Sequence, residues 1–136
     1  MVIPGVGSAA EALTRRMFTR IIASVARTLR EHELSVAQVA TLYMLDERKE
    51  LRVSDVSVEL ELSLPTASRL VDDLVRQKLV TREEDPTDRR ARILRLSAKG
   101  RTFIEKSSEA RMQTIVAAAA EMPSNTVAAV LSKLAR

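Results

Sequence analysis

The side chains with the clearest chemical potential form a short cationic run late in the chain. Arg89, Arg90 and Arg92 stand within five residues, and Asp88 precedes them. A guanidinium group is planar, permanently charged and rich in N–H donors, so it suits phosphate oxygens and the edges of nucleic-acid bases. The run therefore predicts contact with an anionic partner. In the alternative interpretation, all three arginines are solvated charges that supply only nonspecific attraction.

A second group of polar side chains opens a segment with helical periodicity, Leu64 to Gln77. Its apolar residues fall on one face of the predicted helix and its polar residues on the other. The start of the outward face offers side chains that could reach base edges: Ser63, Pro65, Thr66, Ser68 and Arg69. Arg69 has an alternative role, because Asp72 and Asp73 lie three and four residues further on and could hold it in a surface ion pair.

Two short strands of alternating polarity are expected to position the arginine run. They lie within residues 80–96 and flank a turn at Asp85-Pro86, because proline fixes its own φ and aspartate can bond the backbone ahead of it. The arginines then occupy the tip, Asp88 to Arg92. Ser97 is expected to cap the helix that follows. A hairpin with a cationic tip, directly after a pair of helices, is typical of a winged helix-turn-helix.

The segment before the hairpin predicts three short elements. They are a helix from Val36 to Asp46, a strand from Leu51 to Val53 and a helix from Asp55 to Leu60. Ser35 and Gln38 have the spacing of a capping box at the first helix. Ser54 is expected to cap the second helix, and Ser63 the helix that begins at Leu64. Two capped helices with a tight polar turn between them predict the helix-turn-helix itself.

Long apolar stripes lie near both ends of the chain. From Ala9 to Glu31, a four-residue step of apolar side chains predicts one long helix with a broad apolar face. This face is broader than one small core needs, so part of it is expected to meet a second subunit. Another long helix is predicted from Ala98 to Met122, where Pro123 ends it. A last amphipathic helix is predicted to start at Ser124.

The hairpin and the start of the next helix also carry a motif. Its residues are Asp88, Arg90, Ile93, Leu96, Ser97, Lys99 and Gly100. The pattern resembles the signature of the MarR (multiple antibiotic resistance regulator) family, and with the flanking helices the resemblance covers Ala10 to Arg136. It implies a mainly α fold with a small β-wing, namely a winged helix-turn-helix that dimerises through its N- and C-terminal helices.

The resemblance also implies a domain organisation. Residues 1–136 form a single MarR-like domain, with a loose arm at 1–8, dimerisation helices at 9–33 and 97–136, and a winged helix-turn-helix DNA-binding unit at 35–96. Lys78 departs from the family pattern, which usually has glycine at this place. A helix end often needs left-handed backbone there, and a non-glycine residue costs of order 1 kcal/mol.

The function that the resemblance implies is a DNA-binding transcription regulator, a repressor that binds double-stranded DNA with a pseudo-palindromic operator as a homodimer. The helix from Leu64 enters the major groove, and Arg90 enters the adjacent minor groove with Asp88 holding its guanidinium. A small aromatic or amphipathic ligand near the dimer interface releases the DNA, although the sequence does not indicate its binding residues. The alternative is a winged-helix protein–protein interaction module without DNA binding, which the arginine run argues against.

Composition limits the remaining function classes. The net charge is +4, and residues 61–101 hold 10 basic and 7 acidic side chains, whereas residues 1–60 hold 8 of each. That surplus is the expected electrostatic footprint of a DNA reader. With no cysteine, one histidine, no catalytic triad and no glycine-rich phosphate loop, we expect no metal, no cofactor and no enzyme. No apolar run approaches the ~18 residues of a membrane span, so we expect a cytoplasmic protein without membrane association.

Overall fold

The structure is a computed structural model that describes residues 7–125 together with residues 128 and 132. Within this part of the chain, the elements in order are α1 (Ser8–His32), α2 (Val36–Arg48), β1 (Leu51–Arg52), α3 (Val53–Glu59), α4 (Leu64–Arg76), β2 (Val80–Glu84), β3 (Arg92–Leu96) and α5 (Ala98–Ala120). The strands form one antiparallel sheet in the order β1-β3-β2. Contacts divide the chain into a central unit, residues 29–107, and a terminal unit, residues 1–28 with 108–136.

Local capping chemistry sets the starts of α2 and α4. Ser35 Oγ accepts the Gln38 N–H at 3.1 Å, and Gln38 Oε1 accepts the Ser35 N–H at 2.8 Å, which confirms the predicted capping box. Ser63 Oγ accepts the Thr66 N–H at 3.3 Å, as predicted. Both helices therefore begin where the sequence indicates, and α2 continues to Arg48, two residues past its predicted end.

The start of α3 differs from the prediction. Val53 is the first residue of the helix rather than the last of a strand, and Ser54 lies inside the helix. The Asp55 carboxylate accepts the backbone N–H of Arg52 at 2.7 Å. An acid three residues into the helix thus satisfies the donor at its start. The predicted cap at Ser54 is wrong for this reason, and β1 keeps only two residues.

Aliphatic side chains build the core of the central unit. The largest fully buried ones are Leu42, Leu45, Leu74, Leu94, Val56 and Val71. Burying such a side chain completely contributes about 1.5–3 kcal/mol relative to leaving it exposed. The inward face of α4 supplies Leu74 and Val71 to this core, as its periodicity predicted. Leu94 pairs with Leu51 across β3 and β1, so the sheet closes one side of the same core.

The start of α5 packs against the turn that leads from α4 into β2. Lys78 has φ 60°, the left-handed backbone that was predicted for this position. Ser97 Oγ donates to the Lys78 carbonyl oxygen at 2.6 Å and accepts the Gly100 N–H at 2.9 Å, which confirms the predicted cap. A Cβ atom on Gly100 would overlap the Leu79 carbonyl oxygen. The Leu-Ser-x-x-Gly motif therefore allows α5 to begin in close contact with the turn.

The terminal unit carries apolar side chains that this chain leaves uncovered. Leu13 and Ala118 are buried. Among the described residues of this unit, four large apolar side chains are at least half exposed, namely Phe18 (64%), Ile22 (50%), Met112 (60%) and Val116 (59%). On the same unit, Arg20 forms an exposed ion pair with Glu121 at 3.3 Å. Apolar surface therefore lies beside ion-paired surface in the described part of this unit.

The two ends of the chain are only partly described. α5 ends at Ala120, two residues before the predicted end at Met122, and Pro123 follows. The predicted last helix lies mostly outside the described residues. So does most of the predicted loose arm, of which Ser8 already belongs to α1. In the described part, the architecture is mainly α with a small three-stranded sheet, the predicted winged helix-turn-helix.

Candidate nucleic-acid interface

The first turn of α4 presents a polar surface to solvent. Ser63, Pro65 and Thr66 are exposed, whereas Ser68 is half-buried. The hydroxyl of Ser63 donates to that of Thr66 at 2.8 Å. Leu64, which the sequence interpretation left out, is 56% exposed beside them. Residues at the start of a recognition helix are those that reach base edges, so this turn combines hydroxyl groups and one aliphatic group in a suitable place.

Arg69 lies on the exposed side of α4. Its Nε donates to the carbonyl oxygen four residues earlier at 3.4 Å. Both candidate acidic partners are engaged elsewhere, because Arg82 Nη2 lies 2.7 Å from Asp72 Oδ1 and Arg76 pairs with Asp73. The alternative in which Arg69 serves these two carboxylates is therefore wrong. The Arg82 pair also ties β2 to α4.

The hairpin body is rich in arginines that already have partners. Five cross-strand pairs join β2 to β3, and the last of them sets Glu84 opposite Arg92. Arg92 therefore belongs to β3 and not to the tip, and its Nη1 lies 2.8 Å from Glu84 Oε1. Arg95 is shared between Glu83 at 2.7 Å and Glu50 at 2.8 Å. The predicted three-arginine tip is wrong in this respect, because strand pairing continues to Arg92.

Asp85 anchors the loop between the two strands. It is 4% exposed. Its Oδ1 accepts the Thr87 N–H at 2.9 Å and the Thr87 hydroxyl at 2.7 Å, and its Oδ2 accepts a short hydrogen bond from Arg52. The Thr87 hydrogen bonds, followed by the Arg52 ion pair, hold the pKa of Asp85 below its ordinary value. This acid is thus ionised and bonded on both oxygens.

Asp88 organises the tip through the backbone. Its Oδ1 accepts the N–H of Arg90 at 3.0 Å, and its carbonyl accepts the N–H of Ala91 at 3.0 Å. The resemblance implied that Asp88 holds the Arg90 guanidinium; the hydrogen bond instead runs to the Arg90 main chain. Arg89 and Arg90 are both exposed, and no ion pair to either occurs among the described residues. The tip therefore projects two arginines without acidic partners.

Comparison with known proteins assigns this arrangement. The model of the MarR family matches residues 32–91, which include α2 to β2 and the hairpin tip. The transcriptional regulator Tm0710 from Thermotoga maritima has a similar structure, with TM-score 0.76, 26% identity, and coverage of 94% of this chain and 90% of that one. The chain resembles the MarR family over these residues. This is a family of transcription regulators, not of enzymes.

Two further relatives extend the comparison. The chain is 28% identical over 95 residues to YkoM of Bacillus subtilis (strain 168), an uncharacterised HTH-type transcriptional regulator. The match covers 67% of this chain and 62% of YkoM, so it spans less than two thirds of that relative. A MepR mutant from S. aureus bound to an oligodeoxyribonucleotide has the same fold, with TM-score 0.73, 20% identity and 92% coverage of each chain.

The candidate interface also includes residues that sequence reasoning missed. Arg52 and Arg82 fasten the hairpin to the rest of the central unit through Asp85 and Asp72, which lie 33 and 10 positions away in sequence. A basic residue in a strand gives no sign of which distant acid it will meet. Leu64 could have been found, because it is an apolar residue at the start of an otherwise polar helix turn.

In the described part of the chain, no group of three His, Cys, Asp or Glu side chains could hold a metal ion. Over the same residues, none of the helices combines the length and apolar character needed to cross a membrane.

Proposed function

We propose that this chain, which resembles the MarR family, is a transcription regulator that binds double-stranded DNA through α4 and the hairpin tip. The observation that carries the proposal is the distribution of ion pairs. Arg69, Arg89 and Arg90 lack acidic partners among the described residues, whereas the acids around them are engaged by other groups. Unpaired guanidinium groups on two exposed projections suit a phosphate-lined surface.

The proposal gives each projection its own role. The start of α4 enters the major groove, where Arg69 can pair with a guanine and Thr66 can bond a base edge or phosphate. The hairpin tip enters the adjacent minor groove, whose negative potential attracts Arg89 and Arg90. Arg92 is left out of the minor groove, because Glu84 already pairs with it. The structure of the similar MepR mutant with an oligodeoxyribonucleotide supports DNA as the partner.

The proposed DNA-binding form is a homodimer. The exposed apolar side chains of the terminal unit, among them Phe18 and Met112, would be covered by the same helices of a second copy. A two-fold dimer presents two copies of α4, so the operator is an inverted repeat with half-sites about one helical turn apart. We further propose that the bound dimer represses. A reporter with the operator inside its promoter should lose expression when the protein is supplied.

The proposal includes release by a small ligand. An open cavity of about 340 Å³ lies in the central unit between the end of α1 and the start of α5. Its lining includes His32, Leu79, Phe103 and Lys106, so it mixes aromatic, aliphatic and cationic groups. Such a lining suits a small aromatic acid. Titration of the DNA complex with a panel of aromatic acids should release DNA; the absence of release by any of them contradicts this part of the proposal.

Selection of bound sequences from random duplex DNA tests the main proposal. The expected result is a two-fold-symmetric consensus that competes with random DNA at physiological salt. Binding should weaken steeply as salt rises, because neutralised phosphates release counterions. The control is the triple variant Arg69→Ala, Arg89→Ala, Arg90→Ala, which should enrich no consensus while it keeps the wild-type circular dichroism spectrum.

The competing interpretation is a winged-helix module that binds another protein. No consensus and no duplex binding at low salt would favour this module and overturn the proposed function. The two interpretations also differ in their response to the triple variant, because loss of three arginines should leave a purely apolar protein contact intact.

A further inference from the structure

The loop that carries the tip arginines is fastened at its base by a single buried acid. Asp85 follows β2 directly, and its own N–H donates to the Ala91 carbonyl at 3.2 Å. That hydrogen bond closes the loop from which Arg89 and Arg90 project. The side chain of Asp85 points away from solvent, since the residue is only 4% exposed. Asp85 therefore lies at the base of the loop that carries both tip arginines.

The acid is held by a residue of the helix-turn-helix rather than of the hairpin. Arg52 is the last residue of β1 and immediately precedes α3. Its backbone N–H is fixed by the Asp55 carboxylate at 2.7 Å, and its guanidinium pairs with Asp85. The two paired residues are 33 positions apart in sequence. One arginine thus joins the start of α3 to the base of the tip loop.

We propose that Arg52 and Asp85 form a positioning pair that fixes the tip arginines relative to α4 before DNA binds. The inference rests on the proposed function, and it adds residues that touch no DNA. Without the pair, β1 would hold the hairpin only through two residue pairs with β3, Leu51 with Leu94 and Arg52 with Ile93. The loop between β2 and β3 would then have to be ordered during binding, which lowers affinity.

Asp85→Asn separates this role from local turn formation. The asparagine side-chain oxygen can still accept the hydrogen bonds of Thr87, whereas its amide group cannot pair with Arg52. We expect the dissociation constant for the selected operator to rise roughly tenfold, on the scale of ordering two long side chains. The matched control is Glu84→Gln, which removes the same charge from the same hairpin. It should leave binding unchanged or slightly tighter, because a negative charge near DNA is lost.

A double-mutant cycle shows whether Asp85 acts through the tip. In a background with Arg89→Ala and Arg90→Ala, the penalty of Asp85→Asn should fall below about twofold, because there is no tip contact left to position. Arg52→Gln keeps the Asp85–Thr87 turn. Its effect on operator affinity should likewise fall below about twofold in the background that lacks the tip arginines. A general fold defect would instead weaken binding equally in both backgrounds.

Amide hydrogen exchange supplies a readout that does not need DNA. In Asp85→Asn, the Ala91 N–H should exchange faster while the amides of α4 keep their wild-type rates. The positioning role is overturned if Asp85→Asn binds as tightly as Glu84→Gln, or if its penalty persists without the tip arginines. Failure of the wild-type protein to bind any duplex refutes the proposed function instead, and the exchange experiment then still reports whether the pair orders the tip loop.

Discussion

Gly100→Ala is the substitution whose effect the structure defines most sharply. Gly100 lies in the first turn of α5, against the turn that links α4 to β2. An added Cβ would overlap the Leu79 carbonyl oxygen and would lie 3.1 Å from the carbonyl carbon and 3.2 Å from Leu96 Cδ2. Backbone atoms form most of this surface, so no side-chain rotation can relieve the overlap. Either α5 or the turn must move.

The size of the effect follows from three contributions. Overpacking of a tight contact costs typically 1–3 kcal/mol. Displacement of α5 also strains the hydrogen bond from the Ser97 N–H to the Leu79 carbonyl, now 3.0 Å long, and losing it removes roughly 0.5–1.5 kcal/mol. Alanine in place of glycine stabilises the helix by about 1 kcal/mol, because alanine has the higher helix propensity. The net expectation is a loss of about 0.5–3.5 kcal/mol, which lowers the Tm by roughly 2–14 °C for a chain of this length.

Urea and thermal unfolding, followed by circular dichroism, measure this effect. The control is Gly7→Ala, because a Cβ on Gly7 meets nothing within 4 Å. That variant should stay within about 0.5 kcal/mol of wild type. If Gly100→Ala is as stable as Gly7→Ala, the close approach of α5 to the turn does not exist in solution. In that case, the Leu-Ser-x-x-Gly motif does not serve to bring α5 against the turn.

Four further predictions address the proposed interface and its assembly. Arg69→Ala should cost about 1–3 kcal/mol of operator affinity and relax preference at one position per half-site, measured by competition binding; equal weakening on all sequences would make Arg69 a phosphate contact instead. Asp88→Ala should weaken binding in fluorescence anisotropy although it removes a negative charge, whereas Asp88→Asn, which keeps an acceptor for the backbone N–H, should not; tighter binding by Asp88→Ala would exclude the orienting role. Ile22→Glu should shift the sedimentation coefficient to that of a monomer, and Val58→Glu, at a more exposed apolar site of the central unit, should leave the proposed dimer intact. Because hydrogen bonds hold the pKa of Asp85 below the ordinary value of 3.8, its stabilisation of the hairpin is complete above that pH and is lost as the pH falls through the lowered pKa; hairpin amide shifts should show this acid transition, and Asp85→Asn should lack it.

The elements with local stop and start signals were predictable from the sequence. Ser35, Ser63 and Ser97 each bond a backbone N–H within three residues, so the chemistry that fixes these helix starts is complete within a short window. Lys78 was likewise predicted to adopt left-handed backbone from its place at the end of a helix. The prediction failed at Ser54, where two local solutions competed. The carboxylate of Asp55 reached the free N–H from inside the helix, so α3 began earlier.

The candidate site was less predictable, because its geometry depends on pairs that are distant in sequence. The arginine-rich tip was visible as a cluster, but strand pairing decided that Arg92 belongs to β3 and meets Glu84. No local pattern indicates that Arg82 will hold Asp72 or that Arg52 will hold Asp85. Charge composition gives the number of basic residues. Only the fold decides which of them remain without partners.

The choice of which arginines pair with acids explains how a chain of small net charge can still attract a polyanion strongly at one surface. Residues 61–101 exceed neutrality by three charges, 10 basic against 7 acidic. If that surplus were spread evenly, each region would attract a polyanion only weakly at physiological salt. Ion pairing within the sheet and α4 instead neutralises side chains such as Arg82 and Arg95 in place. Among the basic side chains without an acidic partner in the described part of the chain are Arg69, at the exposed side of α4, and Arg89 and Arg90, at the tip of the hairpin. The same pairs that leave these charges free also hold the elements that carry them, so stability and the proposed DNA recognition depend on one set of contacts.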